Sequence, residues 1–480
     1  MRLPVPASLL QASPCKRLWL GAAGVALFIG TLLIGYCAVP KSPHGQGTVG
    51  LDFIAFYTAG TFVREGRSAD LYDIHAVQRF QGDLARANGV DLGSAVGPYW
   101  NPPFYAWLFA PLSRLPYHAA LRLWIIVNIA CAALACLMLS HMLIDSASSR
   151  LPEPAVLVTW HTWALVPVLM LLSTPFIHAL SHAQNTCTSL LLVTCVTVLW
   201  RKERALAAGL VCGLLFYKPQ LGAVLAAVLI FDQGRRAFTG LAVTGLLLLL
   251  ATLALPGSLR HFLHQVPLNL HFVQCQVPYL WDRHVTFKAF WRLLLQGKGA
   301  GEPTWTVSTL AALSAAAVGA GLLWAALRGR ASLHLQLSPS NHGKISAPIR
   351  RDRLIAATIA ATPLLMPFYF DYDQLLLAVP AVLLAADLIR RDRAISLRAG
   401  DRWLLRIWPV YYVWLMLNPD IALLTRVNLS VPLLAVVAGL LIARAGRACD
   451  ERRLLQSQTG SVWRHGLLGG VFVTRASRPC

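Results

Sequence analysis

Charged side chains are scarce in this 480-residue chain. Asp, Glu, Lys and Arg together make up 13% of the residues, whereas hydrophobic residues make up 56%. Soluble domains carry about 25% charged residues. This shortage excludes an ordinary soluble enzyme. The sequence therefore predicts an all-α polytopic transmembrane protein, a bundle of apolar helices each about 20 residues long.

The sequence also lacks the short motifs that bind nucleotides or a catalytic zinc ion. It contains no GxxxxGK[ST] loop, no GxGxxG after a strand and no HExxH helix. Its ten cysteines include no CxxC pair, and several stand inside apolar runs. These absences argue against a soluble nucleotide sugar as substrate and against a disulfide framework. We expect no cofactor and assign no metal ligand, although Asp371 and Asp373 could in principle hold a divalent ion.

Acidic residues are half as frequent as basic ones, and the formal net charge is +21. On a soluble protein this excess would suggest nucleic acid as partner. Here the basic stretches separate apolar runs, as expected when Lys and Arg stay on the cytoplasmic side of a membrane. We therefore expect contact with membrane lipid and not with nucleic acid. Both termini are predicted to be cytoplasmic.

About ten spans are predicted within a membrane domain of residues 1–445, followed by a basic cytoplasmic tail, 446–480. The two large outer loops are residues 40–118 and 257–303. The apolar runs are Leu18–Val39, Ala119–Ile144, Ala155–Thr174, Thr186–Trp200, Ala237–Pro256, Trp305–Leu327, Leu354–Phe370, Gln374–Ile389, Trp403–Asn418 and Ser430–Ala443.

Two apolar segments are predicted not to be simple spans. Ala205–Phe231 is interrupted by Lys218-Pro219 and has basic residues on both sides, so it is expected to enter the membrane and return as a re-entrant hairpin with Lys218 near its tip. Pro103–Leu115 is apolar but short, which suggests an interfacial or re-entrant segment.

Asp52 is the first candidate for chemistry, because it is an acid among apolar and aromatic residues just beyond the first span. A carboxylate shielded from water is suited to act as a general base. The residues themselves leave a second interpretation open, in which Asp52 only caps the helix that follows it.

Three further groups of polar residues lie at predicted outer ends of spans, and one lies in the second outer loop. An ionisable residue at membrane depth is by default a functional candidate. The lysine and the arginine suit a lipid phosphate. The candidates are His178, His182 and Gln184, then Lys218, then the Asp371/Asp373 pair, and finally Arg283.

An ordered series of motifs from about residue 50 to about 390 resembles glycosyltransferase family 87. Each motif is weak alone, whereas the order is fairly specific. The series is Asp52-Phe53-x-x-Phe56-Tyr57-x-Ala59-Gly60, Gly66, Leu71-Tyr72-Asp73, Asn101-Pro102-Pro103, Leu108-Phe109-x-Pro111-Leu112-x-x-Leu115-Pro116, Trp124, Gln184-Asn185, Lys218-Pro219 and Tyr372-Asp373.

The resemblance implies a C-type glycosyltransferase fold. It also implies transfer of a sugar, often mannose, from a polyprenyl-phosphate donor to a glycolipid or glycan acceptor. The reaction would take place on the outer face of a bacterial plasma membrane. Asp52 matches the position of the family's catalytic base. Tyr57, Lys218, His178, His182, Gln184, Arg283 and Asp373 are then candidates for binding substrate.

Two other functions fit part of the sequence. A transporter or lipid flippase would explain the spans, the broken helix and Lys218, but it would not explain the large outer loop. The sequence also has no internal repeat of the kind that many transporters show. A non-catalytic partner in polymer export or assembly is the third possibility.

Overall fold

The computed structural model describes residue 50 and residues 52–88, 97–148, 156–334, 346–390 and 397–447. The predicted first span, Leu18–Val39, and nearly all of the predicted tail lie outside these residues. The described residues form helices and no β-strand, so the all-α prediction is confirmed.

Sixteen α-helices follow one another in the described residues. They are α1 Phe53–Arg64, α2 Ile74–Asn88, α3 Tyr117–Ser148, α4 Val156–Leu171, α5 Thr174–Ser181, α6 Thr186–Arg201, α7 Ala205–Leu214, α8 Pro219–Gln233, α9 Arg235–Leu253, α10 Ser258–His271, α11 Phe287–Gln296, α12 Trp305–His334, α13 Ser346–Leu365, α14 Ala378–Arg390, α15 Ala399–Thr425 and α16 Ser430–Gly446. Short 3₁₀ turns and one π-helical turn connect them.

Five stretches among the described residues are long and apolar enough to cross a membrane. They are Tyr117–Ser146, Arg235–Leu253, Trp305–Arg328, Asp371–Arg390 and Ala399–Thr425. A sixth is possible if Trp163–Leu171 and Thr174–Ser181, which meet at an angle of 60°, together form one broken span.

Among the described residues, fewer elements meet the requirements for a span than the apolar runs in that part of the chain suggested. The runs at Thr186–Trp200 and Ser430–Ala443 belong to the shorter apolar helices α6 and α16. The run beginning at Leu354 belongs to α13, which starts earlier, at Ser346, and contains the charged stretch Arg350–Arg353. Hydropathy did not reveal that these charges are buried.

Ion pairs join several helices at one end of the bundle. Asp352 binds Arg201 at the end of α6 (2.8 Å) and Arg390 at the end of α14. Asp387 binds Arg353 of α13 (2.7 Å) and Arg444 of α16 (2.9 Å). We call this end of the bundle the ion-pair end.

The segment predicted as a hairpin has both of its ends at the ion-pair end. Arg351 lies 2.9 Å from Glu203, just before α7, and 3.6 Å from Asp232 in the last turn of α8. Between these points the chain breaks at the 3₁₀ turn Leu215–Tyr217 and at Lys218-Pro219. Lys218 therefore lies far from the ion pairs, towards the other end.

Close contact between α7 and α9 is possible because small residues line it. A Cβ added to Gly209 would lie 2.0 Å from the carbonyl oxygen of Ala237. A Cβ added to Gly240 would lie 2.1 Å from that of Leu206. Small residues let helix backbones approach in this way in membrane proteins.

Aromatic side chains form a separate core beneath α1. Phe56 stacks on Phe109 with ring centroids 4.8 Å apart, and Tyr105 stacks on Tyr217 at 4.5 Å. Tyr105 lies in the 3₁₀ turn Pro103–Leu108, in the segment predicted to be interfacial or re-entrant. This aromatic core fixes α1 against the bundle, and with it the position of Asp52.

Candidate active site

Polar side chains from five parts of the chain meet at the end of the bundle opposite the ion pairs. They come from the start of α1, the turn after α5, the break between α7 and α8, the turn Trp281–Arg283 and the 3₁₀ turn Asp371–Leu377. Each part is a helix terminus or a break. Side chains there project beyond regular packing, so they can converge on one place.

Asp52 occupies the N-cap position of α1, but its side chain makes no capping hydrogen bond. Instead, Gln184 Nε2 donates a hydrogen bond to Asp52 Oδ2 at 2.7 Å. The carboxylate therefore faces the turn after α5. Of the two interpretations that the sequence left open, the capping role lacks the hydrogen bond that defines it.

His182 connects the turn after α5 to Arg283. His182 Nδ1 lies 2.9 Å from the carbonyl oxygen of His178, to which it can only donate. Arg283 Nη1 in turn donates to His182 Nε2 at 3.2 Å. Both contacts require neutral His182 with its proton on Nδ1.

Asp371 holds Arg283 by two parallel hydrogen bonds. Arg283 Nε lies 3.0 Å from Asp371 Oδ2, and Nη2 lies 3.1 Å from Oδ1. This bidentate pairing fixes the plane of the guanidinium. Asp371 Oδ2 is also 3.4 Å from His178 Nδ1, so both predicted histidines belong to the same group of side chains.

Lys218 pairs with Asp373 at the tip of the α7–α8 hairpin. Lys218 Nζ lies 3.1 Å from Asp373 Oδ1, and Thr186 Oγ1 donates to the same oxygen at 2.9 Å. Both charged residues are buried. A lysine without such a partner would be costly at this depth.

The ring of Tyr372 lies between the two ion pairs. Lys218 Nζ is 5.1 Å from its centroid, the Arg283 guanidinium carbon is 5.9 Å away, and the His182 ring centroid is 6.3 Å away. Two cations at a ring face of this kind make weak cation–π contacts. The ring of Tyr372 is therefore a neighbour of both cationic groups, each of which is held by its own carboxylate.

Burial is the main cause of the lowered pKa of His182, and the charge of Arg283 adds to it, whereas Asp52 and Asp371 oppose it. Burial also opposes the charge on Arg283, but the Asp371 carboxylate outweighs this effect and raises the arginine's pKa. Near neutral pH, then, His182 is neutral and Arg283 is a cation.

The structure brings together seven of the eight residues predicted from the sequence. Tyr57 is the eighth. Its hydroxyl donates to the carbonyl oxygen of Leu115 at 2.9 Å, and its ring packs on Tyr117 with centroids 5.3 Å apart. Its place is in the aromatic core beneath α1, where it supports the helix that carries Asp52.

Sequence reasoning gave too little weight to Asp371, Tyr372 and Thr186. The first two stand beside Asp373 in the sequence, and their proximity was the signal that could have found them. Thr186 carries no sequence signal of its own, because a threonine at the start of an apolar helix is ordinary.

The structure also tests whether Asp371 and Asp373 share a divalent ion. Each carboxylate is bound by a different cation, Arg283 in one case and Lys218 in the other. The two carboxylates therefore have separate cationic partners in the folded protein.

Residues 99–338 match glycosyltransferase family 87. The match covers half of the chain, and it includes the region from His178 to Arg283. The chain belongs to glycosyltransferase family 87. Searches of curated proteins and of solved structures gave no match.

Family 87 membership and the apolar helices make this protein a membrane glycosyltransferase. Membership in this family favours the enzyme over the two other functions considered from the sequence, a transporter and a non-catalytic partner. Asp52 precedes the matched residues and Asp373 follows them, so the argument for these two residues rests on the geometry of the site.

Proposed function

We propose that this protein transfers a sugar, mannose in the first instance, from a polyprenyl-phosphate donor to a glycolipid or glycan acceptor. Asp52 is the general base, and the fold is of the C type. The active site lies on the outer face of a bacterial plasma membrane, with both termini in the cytoplasm and residues 1–445 forming the membrane domain.

The position of Asp52 is the observation that carries this proposal. Its carboxylate is anchored by Gln184 and is close enough to His182 and Arg283 to influence their ionisation. A base in this position can accept the proton of an acceptor hydroxyl while that oxygen attacks the anomeric carbon. The attack comes from the face opposite the leaving phosphate and inverts the configuration at that carbon.

Arg283 and Lys218 are suited to the leaving group. A polyprenyl-phosphate sugar carries one negative charge, and its phosphate gains a second when the glycosidic bond breaks. Asp371 occupies the Nε and Nη2 edge of Arg283, so Nη1 is the nitrogen that faces the rest of the site. Fixed cations at a developing charge stabilise the transition state.

The break between α7 and α8 supports a donor that is bound from the bilayer. Lys218 is held in the tip of an apolar hairpin, beside Asp373 at the start of an apolar span. A lipid phosphate can reach this depth while its chain remains among apolar helices. A donor of this kind needs no nucleotide site, in keeping with the absence of nucleotide motifs.

The test is transfer from radiolabelled polyprenyl-phosphate mannose to membrane lipids. Asp52→Asn should lower transfer by about 10²–10⁴-fold, because it removes the base. Asp70→Asn is the matched control, since Asp70 pairs with Arg67 at the protein surface. Transfer by Asp52→Asn at the wild-type rate would remove Asp52 from the mechanism. If wild type transfers another polyprenyl-linked sugar instead, only the choice of mannose fails.

A further inference from the structure

A second group of side chains, away from the candidate active site, has the composition of a metal site. His271, Cys275 and Glu302 each offer one ligand atom, and these three atoms all lie within 4.8 Å of one another. His271 Nε2 and Glu302 Oε1 are 3.2 Å apart. The three residues lie in the second predicted outer loop, 257–303.

The local backbone places His271 and Cys275 together. His271 is the last residue of α10, and Cys275 lies in the π-helical turn Phe272–Gln276 that continues it. Residues four apart on a helix project from the same face. A single π-helical turn is rare and is frequently found at functional sites.

The third ligand comes from a loop whose backbone is held in place. The Gly301 amide donates to the carbonyl oxygen of Cys275 at 2.6 Å. The next residue, Glu302, therefore lies beside the π-helical turn. Buried Arg292 donates to the carbonyl oxygens of Gly299 and Gly301, and Gln296 Nε2 donates to that of Glu302. The backbone at Glu302 is therefore positioned without any ion.

We propose that His271, Cys275 and Glu302 bind a thiophilic divalent ion of the Zn²⁺ class. Imidazole, thiolate and carboxylate are all ligands of Zn²⁺, whereas Mg²⁺ and Ca²⁺ prefer oxygen alone. The thiol proton is released to solvent as the ion binds. The two negative charges of thiolate and carboxylate then balance those of the ion.

The geometry needs only a small adjustment to hold an ion. Ligand atoms about 2.0–2.3 Å from one ion are at most about 4.5 Å apart. The side chains of His271 and Glu302 are 52% and 66% exposed, so they can rotate to close the site and an ion can enter from solvent. Three protein ligands leave a fourth position for water.

Two cations lie near the cysteine. Burial and Glu302 raise the pKa of Cys275, and the charges of Lys288 and Arg292 both oppose that shift. Their charge also repels an incoming ion. Lys288 donates to Gln274 Oε1 at 2.9 Å, and Arg292 donates to the loop carbonyls, so both cations are held by neutral groups and keep their charge.

A bound ion would tie the end of α10 to the loop after α11. These two points bracket the segment that carries Arg283, the arginine of the candidate active site. The proposal does not depend on the reaction, because metal binding is measured without turnover. The sequence did not reveal this site, since Glu302 is distant from the other two ligands along the chain.

The test is the binding of Co²⁺ to the full-length, reduced protein in detergent. Binding is measured by the thiolate-to-cobalt charge-transfer absorption. We expect one equivalent of Co²⁺ with this absorption, displaced by Zn²⁺. Cys275→Ser should abolish the absorption. His271→Ala and Glu302→Gln should weaken binding at least about tenfold, because even a lost second-shell partner costs about 10–100-fold.

Two control variants separate this site from other metal ligands. His264→Ala removes a histidine of the same helix that lies outside the trio, and it should bind Co²⁺ as wild type does. Cys195→Ser removes a thiol elsewhere in the bundle and should also leave the absorption unchanged. No charge-transfer absorption in wild type, or absorption that persists in Cys275→Ser, would show that the trio is only an ion pair beside a thiol.

Discussion

At the scale of single residues, the hydrogen bond from Gln184 to Asp52 is the contact that orients the base. Only the side-chain amide of Gln184 is involved, and it comes from a part of the chain distant in sequence from Asp52. A base that rotates freely spends less time aimed at the acceptor hydroxyl.

We therefore expect Gln184→Leu to lower transfer by about 10²-fold, the loss that follows a displacement of about 1 Å in a reacting group. Gln233→Leu is the matched control. Gln233 makes the same kind of bond to Asp232 at 2.8 Å, at the ion-pair end of the bundle. Equal losses in the two variants would mean that the effect is on folding and not on the base.

His182 makes stability depend on pH in a direction that its environment fixes. Burial lowers its pKa below 6.5 in the folded protein, whereas the unfolded chain titrates near 6.5. The unfolded state therefore binds more protons below pH 6.5. Stability should be constant above that pH and should fall as the pH is lowered through the window beneath it.

His182→Gln should flatten this acid limb, because glutamine keeps an acceptor for Arg283 but cannot take up a proton. The measurement is the melting temperature from pH 5 to 8 for both proteins. His284, whose pKa burial lowers to about 3, contributes with the same sign to both and cancels in the comparison. His75→Gln, at an exposed histidine, serves as control. Identical acid limbs for wild type and His182→Gln would contradict the assignment.

At the scale of helices, the contact of α7 with α9 depends on the absence of side chains at two positions. An alanine methyl at position 209 would overlap the backbone of the neighbouring helix. We expect Gly209→Ala to lower the free energy of unfolding by about 1–3 kcal/mol, the usual cost of overpacking.

Gly439→Ala is the corresponding control in α16, because a Cβ there would meet open space. It should leave the melting temperature unchanged or raise it, since alanine favours a helix over glycine. A fall of equal size in both variants would show that the α7–α9 contact is not special.

The sequence predicted some elements well because their signals are local. Pro219 is the first residue of α8, a position that proline favours. The basic residues on both sides fixed the direction of return. Asp52 stood out because an acid among aromatics is unusual.

Other elements depended on partners that are distant in the chain. The four charged residues at the start of α13 are buried, because Asp232, Asp387 and other residues distant in the sequence bind them. In the same way, nothing local to Arg283 indicates that Asp371 would hold its guanidinium in one plane. Ion pairs of this kind depend on how the helices pack, and they leave no periodic pattern in the sequence.

At the scale of the whole molecule, the ion-pair end should contribute strongly to stability. Asp387 accepts hydrogen bonds from Arg353 and Arg444, and its side chain is only 2% exposed. Asp387→Asn removes the carboxylate that these two buried guanidinium groups share, although Arg444 keeps its contact with Asp401. Breaking a buried pair in this way costs about 3–5 kcal/mol.

Thermal unfolding in detergent measures this effect. Glu203→Gln is the control, because Glu203 pairs with Arg351 but its side chain is 68% exposed. Arg351 keeps Asp232 as a partner at 3.6 Å, and the contribution of an exposed carboxylate is only about 0–1 kcal/mol, so this variant should melt close to wild type. Similar melting temperatures for wild type and Asp387→Asn would mean that the ion-pair end does not hold the bundle together.

The two ion pairs around Tyr372 have a consequence for the order of events in turnover. With Asp52 included, the resting site holds three carboxylates against two cations, so it is electrically negative before any donor arrives. After transfer, Asp52 carries the acceptor's proton and the carrier phosphate carries two charges. Once Asp52 returns that proton to water, the site again holds three carboxylates against two cations, now beside a carrier phosphate with two negative charges. Deprotonation would then drive the carrier out, making each cycle reset itself by electrostatic repulsion.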